Sequence, residues 1–291
     1  MKQELSSFLT RLKQQLELIE KQMLELLDAS SIKESRRDRY VFTPNYYWGE
    51  ADEVQRRLQM KLNGAYSTWY EKFCLSISNA TEEIKKEVEE THEFVTSWIE
   101  KKSSFGIPST IREAKTEFKE KIQVFYELIN MLDNGKKDLI LVLDTNALIK
   151  VPEWSQYSKV VRQDKYTIII PPTVLGQLDR LKVMHHDANL KEKVSSVIRR
   201  IKGLRQQGNL LQGVTVNKTV TVKMLAAEPN FKETLHWLDP SNEDDRIIAS
   251  VLKVQCNFPT AIVVLVTSDI NLQNKAEMAN LPFLEPSEED V

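Results

Sequence analysis

Two carboxylates stand within three residues after apolar runs of the kind that fill a strand buried on both faces. Asp144 opens Asp144-Thr145-Asn146 after Leu139–Leu143 (LILVL), and Asp269 closes Thr267-Ser268-Asp269 after Ala261–Val266 (AIVVLV). A third run, Tyr166–Ile170 (YTIII), leads through Pro171-Pro172-Thr173 into a segment with Gln177 and Asp179. A fourth acidic group, Asn242-Glu243-Asp244-Asp245, precedes a stretch rich in Ile, Val and Leu. Open parallel sheets bind ligands beyond the carboxyl ends of their strands, so these distant acids are expected at one edge. Asp144 alone would read as a strand-end cap, and Asp245 alone as a helix N-terminal charge. As a set they repel and raise one another's pKa, which at neutral pH points to a bound hard cation. Mg²⁺ and Mn²⁺ take oxygen ligands without His or Cys, and they promote phosphodiester hydrolysis by activating water and screening charge on phosphate. The four His and two Cys show no zinc-site spacing.

The elements that must hold these residues divide the chain at about residue 137. Over 138–291 the strands alternate with helical stretches at Thr173–Lys182, Leu190–Gln206 and Asp244–Val254. Such alternation predicts an α/β domain, a parallel sheet covered on both faces. Val214–Val216 and Val220–Val222 flank Asn217-Lys218 and read as a short hairpin or protruding arm. Residues 1–137 read instead as an all-α, bundle-like domain. Leu5, Leu9, Leu12, Leu16, Ile19, Met23 and Leu26 alternate steps of four and three, an a/d seam. That seam either packs within the bundle or pairs with another copy or a protein partner. Further helices are expected at Ala51–Cys74, Thr81–Ile99 and Ser109–Met131. Tyr40–Trp48 (YVFTPNYYW) is expected as an irregular loop folded onto its own bundle, with base stacking the alternative.

The C-terminal half resembles the PIN-domain nucleases. Asp144-Thr145-Asn146-Ala147-Leu148 after its strand looks like their first motif, and IIIPPTVLGQLDRLK (168–182) like their second. NEDDRIIA (242–249) and VTSDINLQNKA (266–276) look like the third and fourth, in family order. The resemblance implies a Rossmann-like α/β/α fold, Mg²⁺ or Mn²⁺, and endonucleolytic cleavage of single-stranded RNA, with single-stranded DNA the alternative. Carried over residue by residue, Asp144 matches the first metal-binding acid, Asp245 the third (Asp244 standing in reserve) and Asp269 the fourth. Asn146 and Ser268 fall where polar groups support metal-bound water or phosphate, and Asn271 where some relatives place another ligand. The family's second acid is a Glu, and here that position is Gln177. Asp179 does not replace it, because two residues along a helix is about 200° of rotation. A naturally weakened site, a degenerate one and an engineered change all remain open, and Glu at 177 would be expected to tighten metal binding. The competing reading is a degenerate PIN-like nucleic-acid-binding or scaffold protein, whose helices oligomerise or dock a partner.

A polyanionic substrate also needs positive charge at the rim of the site. Lys191, Lys193, Arg199, Arg200, Lys202 and Arg205 are crowded into one helical stretch, with Arg180 and Lys182 just upstream. Arg180, Lys182, Arg199, Arg200 and Arg205 are therefore expected to bind substrate, mainly through phosphates. The balance of 40 Lys+Arg against 42 Asp+Glu, a net charge of -2, excludes a globally basic binder but not a local basic face. No apolar run reaches the ~18 residues of a membrane span, and MKQELSSFLT does not read as a signal peptide. The expectation is a soluble cytoplasmic protein.

Overall fold

The computed structural model describes residues 5–34, 46–102, 106–133, 135, 137–184 and 186–286. The chain forms two compact units, Leu9–Asn134, and Gly135–Val291 with Met1–Phe8.

The helical unit contains α1 (Phe8–Asp28), β1 (Ile32–Glu34), β2 (Tyr46–Trp48), α2 (Glu53–Ser76), α3 (Glu82–Ile99) and α4 (Ile111–Leu132). The three later helices begin where a short polar side chain satisfies a free backbone N–H. Asp52, Thr81 and Thr110 accept from the N–H groups of Gln55, Ile84 and Glu113. Glu113 reaches back to the N–H of Ser109 at 3.1 Å. From Leu9 to Leu26 the seam residues of α1 are at most 3% exposed, so this chain itself covers the stripe. The indole N–H of Trp69 donates to the Leu12 carbonyl at 2.9 Å, tying α2 to α1. Phe125 of α4 meets Trp69 and Phe73 edge-on, with ring centroids 5.0 and 5.2 Å apart. In the aromatic run, Tyr46–Trp48 is a strand paired antiparallel with Ile32–Glu34 rather than loop. Its remaining residues, 40–45, lie outside those described.

The α/β unit contains β3 (Leu139–Leu143), α5 (Thr145–Lys150), α6 (Tyr157–Val161), β4 (Tyr166–Ile170), α7 (Pro172–Met184) and α8 (Ala188–Gln207). It continues through β5 (Val214–Asn217), β6 (Val220–Met224), α9 (Glu243–Asn257), β7 (Ile262–Val266), α10 (Ile270–Met278) and β8 (Phe283–Leu284). The strands form one sheet in the order β5-β6-β4-β3-β7-β8. All neighbours are parallel except β5 and β6. The expected hairpin is therefore part of the sheet, since β6 pairs with β4 in parallel while β5 turns back along its outer side. Every residue of β3 is buried, and Ile168–Ile170 and Val263–Val266 are at most 2% exposed. Continuous apolar runs without alternation are what a two-sided cover of helices requires.

Candidate active site

The site follows from the strand order. β3 lies between β4 and β7, and the chain proceeds from β3 to β4 to β6 on one side before crossing to β7 on the other. Helices leaving β3 and β7 therefore diverge, and a crevice opens at the carboxyl ends of these two strands. Leu143 stands opposite Val266, so Asp144 and Thr267 are the first residues past the paired region. A cavity of about 450 Å³ lies there.

Each wall has its own source. The start of α5 supplies Asp144, Thr145 and Asn146, and α7 supplies Gln177, Arg180, Leu181 and Met184. The first turn of α9 supplies Glu243 and Asp244, with Ile247 behind them, and α10 brings Asp269 and Leu272. Three of these segments begin with side-chain caps that also fix the acids. Asp144 accepts from the Ala147 N–H at 2.6 Å, and Asp269 from the Asn271 N–H at 2.8 Å. Asn242 accepts from the N–H groups of Asp244 and Asp245, which stand at the positive end of α9.

Asp144 is the most sequestered acid, at 3% exposure. Burial raises its pKa from 3.8 to about 6, helped by the charges of Asp269 and Asp244 and opposed by hydrogen bonds from Thr267 and the Ala147 N–H. Glu243 behaves oppositely. Its carboxyl is held below the usual carboxylate range by hydrogen bonds from Arg180 and Gln177. Gln177 bridges two neighbours: its carbonyl accepts from the Thr145 hydroxyl, and its Nε2 donates to Glu243 Oε2 at 2.9 Å. Lys275 of α10 faces α9, 2.8 Å from Asp245 Oδ1, 3.4 Å from Asp244 Oδ2 and 3.0 Å from Asn242 Oδ1.

Of the residues expected from sequence, Asp144, Asn146, Gln177, Arg180 and Asp269 meet at this cavity. Asp245 is not part of its lining. It is buried behind the wall, with Oδ2 accepting from the Asp239 N–H at 3.0 Å, while its neighbour Asp244 faces the cavity. Ser268 is half-buried outside the lining, with its hydroxyl oxygen buried and unpaired. Lys182, Arg199, Arg200 and Arg205 are exposed and do not line the cavity either. Arg200 pairs with Glu153, and Arg205 borders an apolar groove with Leu175, Leu210 and Met224. Glu243 is the residue that sequence reasoning missed. Its only signal was its place beside Asp244, since its partner Arg180 is 63 residues away.

The oxygen donors around the cavity are four carboxylates, the Thr145 hydroxyl and the Gln177 and Asn146 carboxamides, and among the described residues the lining has no His or Cys. That chemistry fits an oxygen-seeking divalent cation. As they stand, no three His, Cys, Asp or Glu side chains among the described residues are grouped to hold an ion. Arg180 and Gln177 hold Glu243, and Lys275 holds Asp244.

A mostly parallel, helix-covered sheet with carboxylates at its strand switch defines a class of α/β domains with an acidic crevice, and the sequence comparisons give it a family. Residues 141–285 match the PIN domain, and this part of the chain belongs to the PIN-domain family. The chain is also similar to human Transcriptional protein SWT1, with 28% identity over 160 residues, covering 54% of this chain. The match spans only 16% of that protein's length.

Proposed function

We propose that the α/β unit is a divalent-metal-dependent endoribonuclease acting on single-stranded RNA. The observation that carries this reading is the convergence of Asp144, Glu243, Asp244 and Asp269, from three separate segments, on one cavity at the strand switch point. Like charges do not collect without compensation, and among the described residues the cations that face these acids are Arg180 and Lys275, with Arg246 acting on Glu243 from further along α9. Mg²⁺ or Mn²⁺, held by Asp144, Asp244 and Asp269, would supply activation of water and screening of phosphate charge. The chain's own residues do the rest. Asp144, fixed by Thr267 and the Ala147 N–H, presents a carboxylate that cannot swing away. Lys275 keeps Asp244 and Asp245 from repelling each other. Asn146 and Arg180, at the cavity wall, donate to phosphate oxygens, and Leu181 and the exposed Met184 give that wall an apolar stretch. Lys182, Arg199 and Arg205 hold the strand beyond the cavity through its phosphates, without reading base sequence.

The competing reading is a nucleic-acid-binding or scaffold protein with a degenerate site, and it draws on the neutral Gln177. Incubating labelled single-stranded RNA and single-stranded DNA with the whole chain, in Mg²⁺, Mn²⁺ or EDTA, separates the two. Metal-dependent cleavage that Asp144→Asn removes is the expected result. Binding without cleavage in all three conditions would favour the scaffold.

A further inference from the structure

Position 177 carries no charge, yet a carboxylate from a different helix stands beside it at the cavity. We propose that Glu243 supplies the carboxylate that position 177 lacks, with Gln177 as its positioning residue. This inference rests on the metal-dependent reading above and goes past it, since motif comparison assigns Glu243 nothing.

The geometry is a chain of three groups across the cavity wall. Thr145, next to Asp144, donates its hydroxyl hydrogen to the Gln177 carbonyl. Gln177 Nε2 then donates to Glu243 Oε2 at 2.9 Å, and Arg180, one turn further along α7, takes Glu243 Oε1. A carboxylate only accepts, so this chain has one direction. The residue at 177 must present a donor to Glu243 and an acceptor to Thr145, and a carboxamide does both. A Glu at 177 would present an acceptor to an acceptor, two carboxylates facing each other across one hydrogen-bond length. Gln177 and Glu243 are therefore complementary, with the negative charge on α9 rather than α7. Glu243 lines the same cavity as Asp144, Asp244 and Asp269, so the crevice keeps four carboxylates despite the Gln. The expectation that Gln177→Glu alone would strengthen the site is revised, because its new charge would oppose one already present.

The test is a charge swap read by thermal unfolding of the whole chain in EDTA and across a Mn²⁺ titration. Mn²⁺ should stabilise the original chain, since an ion that binds only the folded form shifts the equilibrium toward it. Glu243→Gln should raise the Mn²⁺ concentration for half-maximal stabilisation by about tenfold or more, because hard-cation affinity follows ligand charge. Gln177→Glu alone should lower the unfolding temperature in EDTA. Gln177→Glu with Glu243→Gln together should bring the Mn²⁺ midpoint back to within about threefold of the original. A surface ion pair with Arg180 and nothing more would leave that midpoint unmoved in every variant. An unchanged midpoint in Glu243→Gln, or a double variant no better than Glu243→Gln, overturns the assignment. Should Glu243→Gln not fold in EDTA, the double variant alone decides. If the original chain and Asp144→Asn both ignore Mn²⁺, the metal reading itself fails and takes this inference with it.

Discussion

The two units bury opposite charges and do different things with them. In the helical unit the sequestered charged groups are cations, Lys72 at 5% exposure and Lys101 with its ammonium buried. In the α/β unit they are acids, Asp144 and Asp245, at 3% and 6%. Lys101 stands against an aromatic face, its Nζ 3.8 Å from the Trp48 ring centroid, with no hydrogen-bond partner among the described residues. The acids instead converge with others on a shared cavity or on one lysine. A buried charge that meets only packing is a cost which the surrounding fold must offset. Carboxylates from three segments that meet on one cavity, with Asp144 buried among them, repel one another and make a counter-charge favourable there.

The largest effect that would sharpen this contrast is on cleavage. Asp144→Asn should reduce metal-dependent RNA cleavage by at least about a thousandfold, some 4 kcal/mol in transition-state terms, while circular dichroism stays that of a folded chain. Substantial turnover by the folded variant would mean that the buried acid is only a helix cap. In the helical unit the heaviest loss should come from packing. Trp69→Ala removes a 1%-exposed indole and its bond to the Leu12 carbonyl. It should cost about 3–5 kcal/mol in urea unfolding, and the Mn²⁺ midpoint of the α/β unit should not move. A shifted midpoint would break the separation drawn between the two units.

A smaller effect is expected on the exposed basic helix. Arg199, Arg200 and Arg205 all changed to Glu should weaken binding to every RNA sequence alike and reduce the salt slope by about 2–3. Fluorescence anisotropy across a salt series measures both, and an unaltered slope would make α8 a solvated surface. A last effect, read through pH, concerns Lys101, whose pKa burial lowers from 10.5 to about 7. Between those two values the unfolded chain binds more protons than the folded one, so stability rises with pH across that window. Lys101→Met should accordingly be more stable than the original at pH 7, with the difference shrinking toward pH 10. Urea midpoints at the two pH values check it, and a less stable Met variant at pH 7 would show that the Trp48 contact outweighs burial.

Much of this architecture was legible in the residues. Strand interiors of Val, Ile and Leu announce themselves, and an acid within three residues after such a run sits near a strand end. That is why Asp144 and Asp269 could be placed. The heptad of α1 announced a buried stripe but not what would cover it, because any apolar surface satisfies the same spacing. Asp244 and Asp245 are neighbours about 100° apart on a helix, and which of them faces the crevice depends on Lys275 and the Asp239 N–H. Neither partner is visible from the run itself. Glu243 was harder still, since its role depends on Gln177 and Arg180 of another helix. β8 was missed for a different reason. Two residues carry no periodicity, and Phe283-Leu284 becomes a strand only because β7 offers it an edge.

The margins of the six-stranded sheet have a consequence for how the protein behaves when concentrated. On one side, the pairing of β5 with β6 slips between Thr215 and Asn217. On the other, β8 offers only two residues. A foreign strand needs a long, regular row of free N–H and C=O groups to add itself to a sheet. Neither margin provides one, so the Val- and Ile-rich interior that makes this sheet stable is not displayed as a template for fibrous self-association.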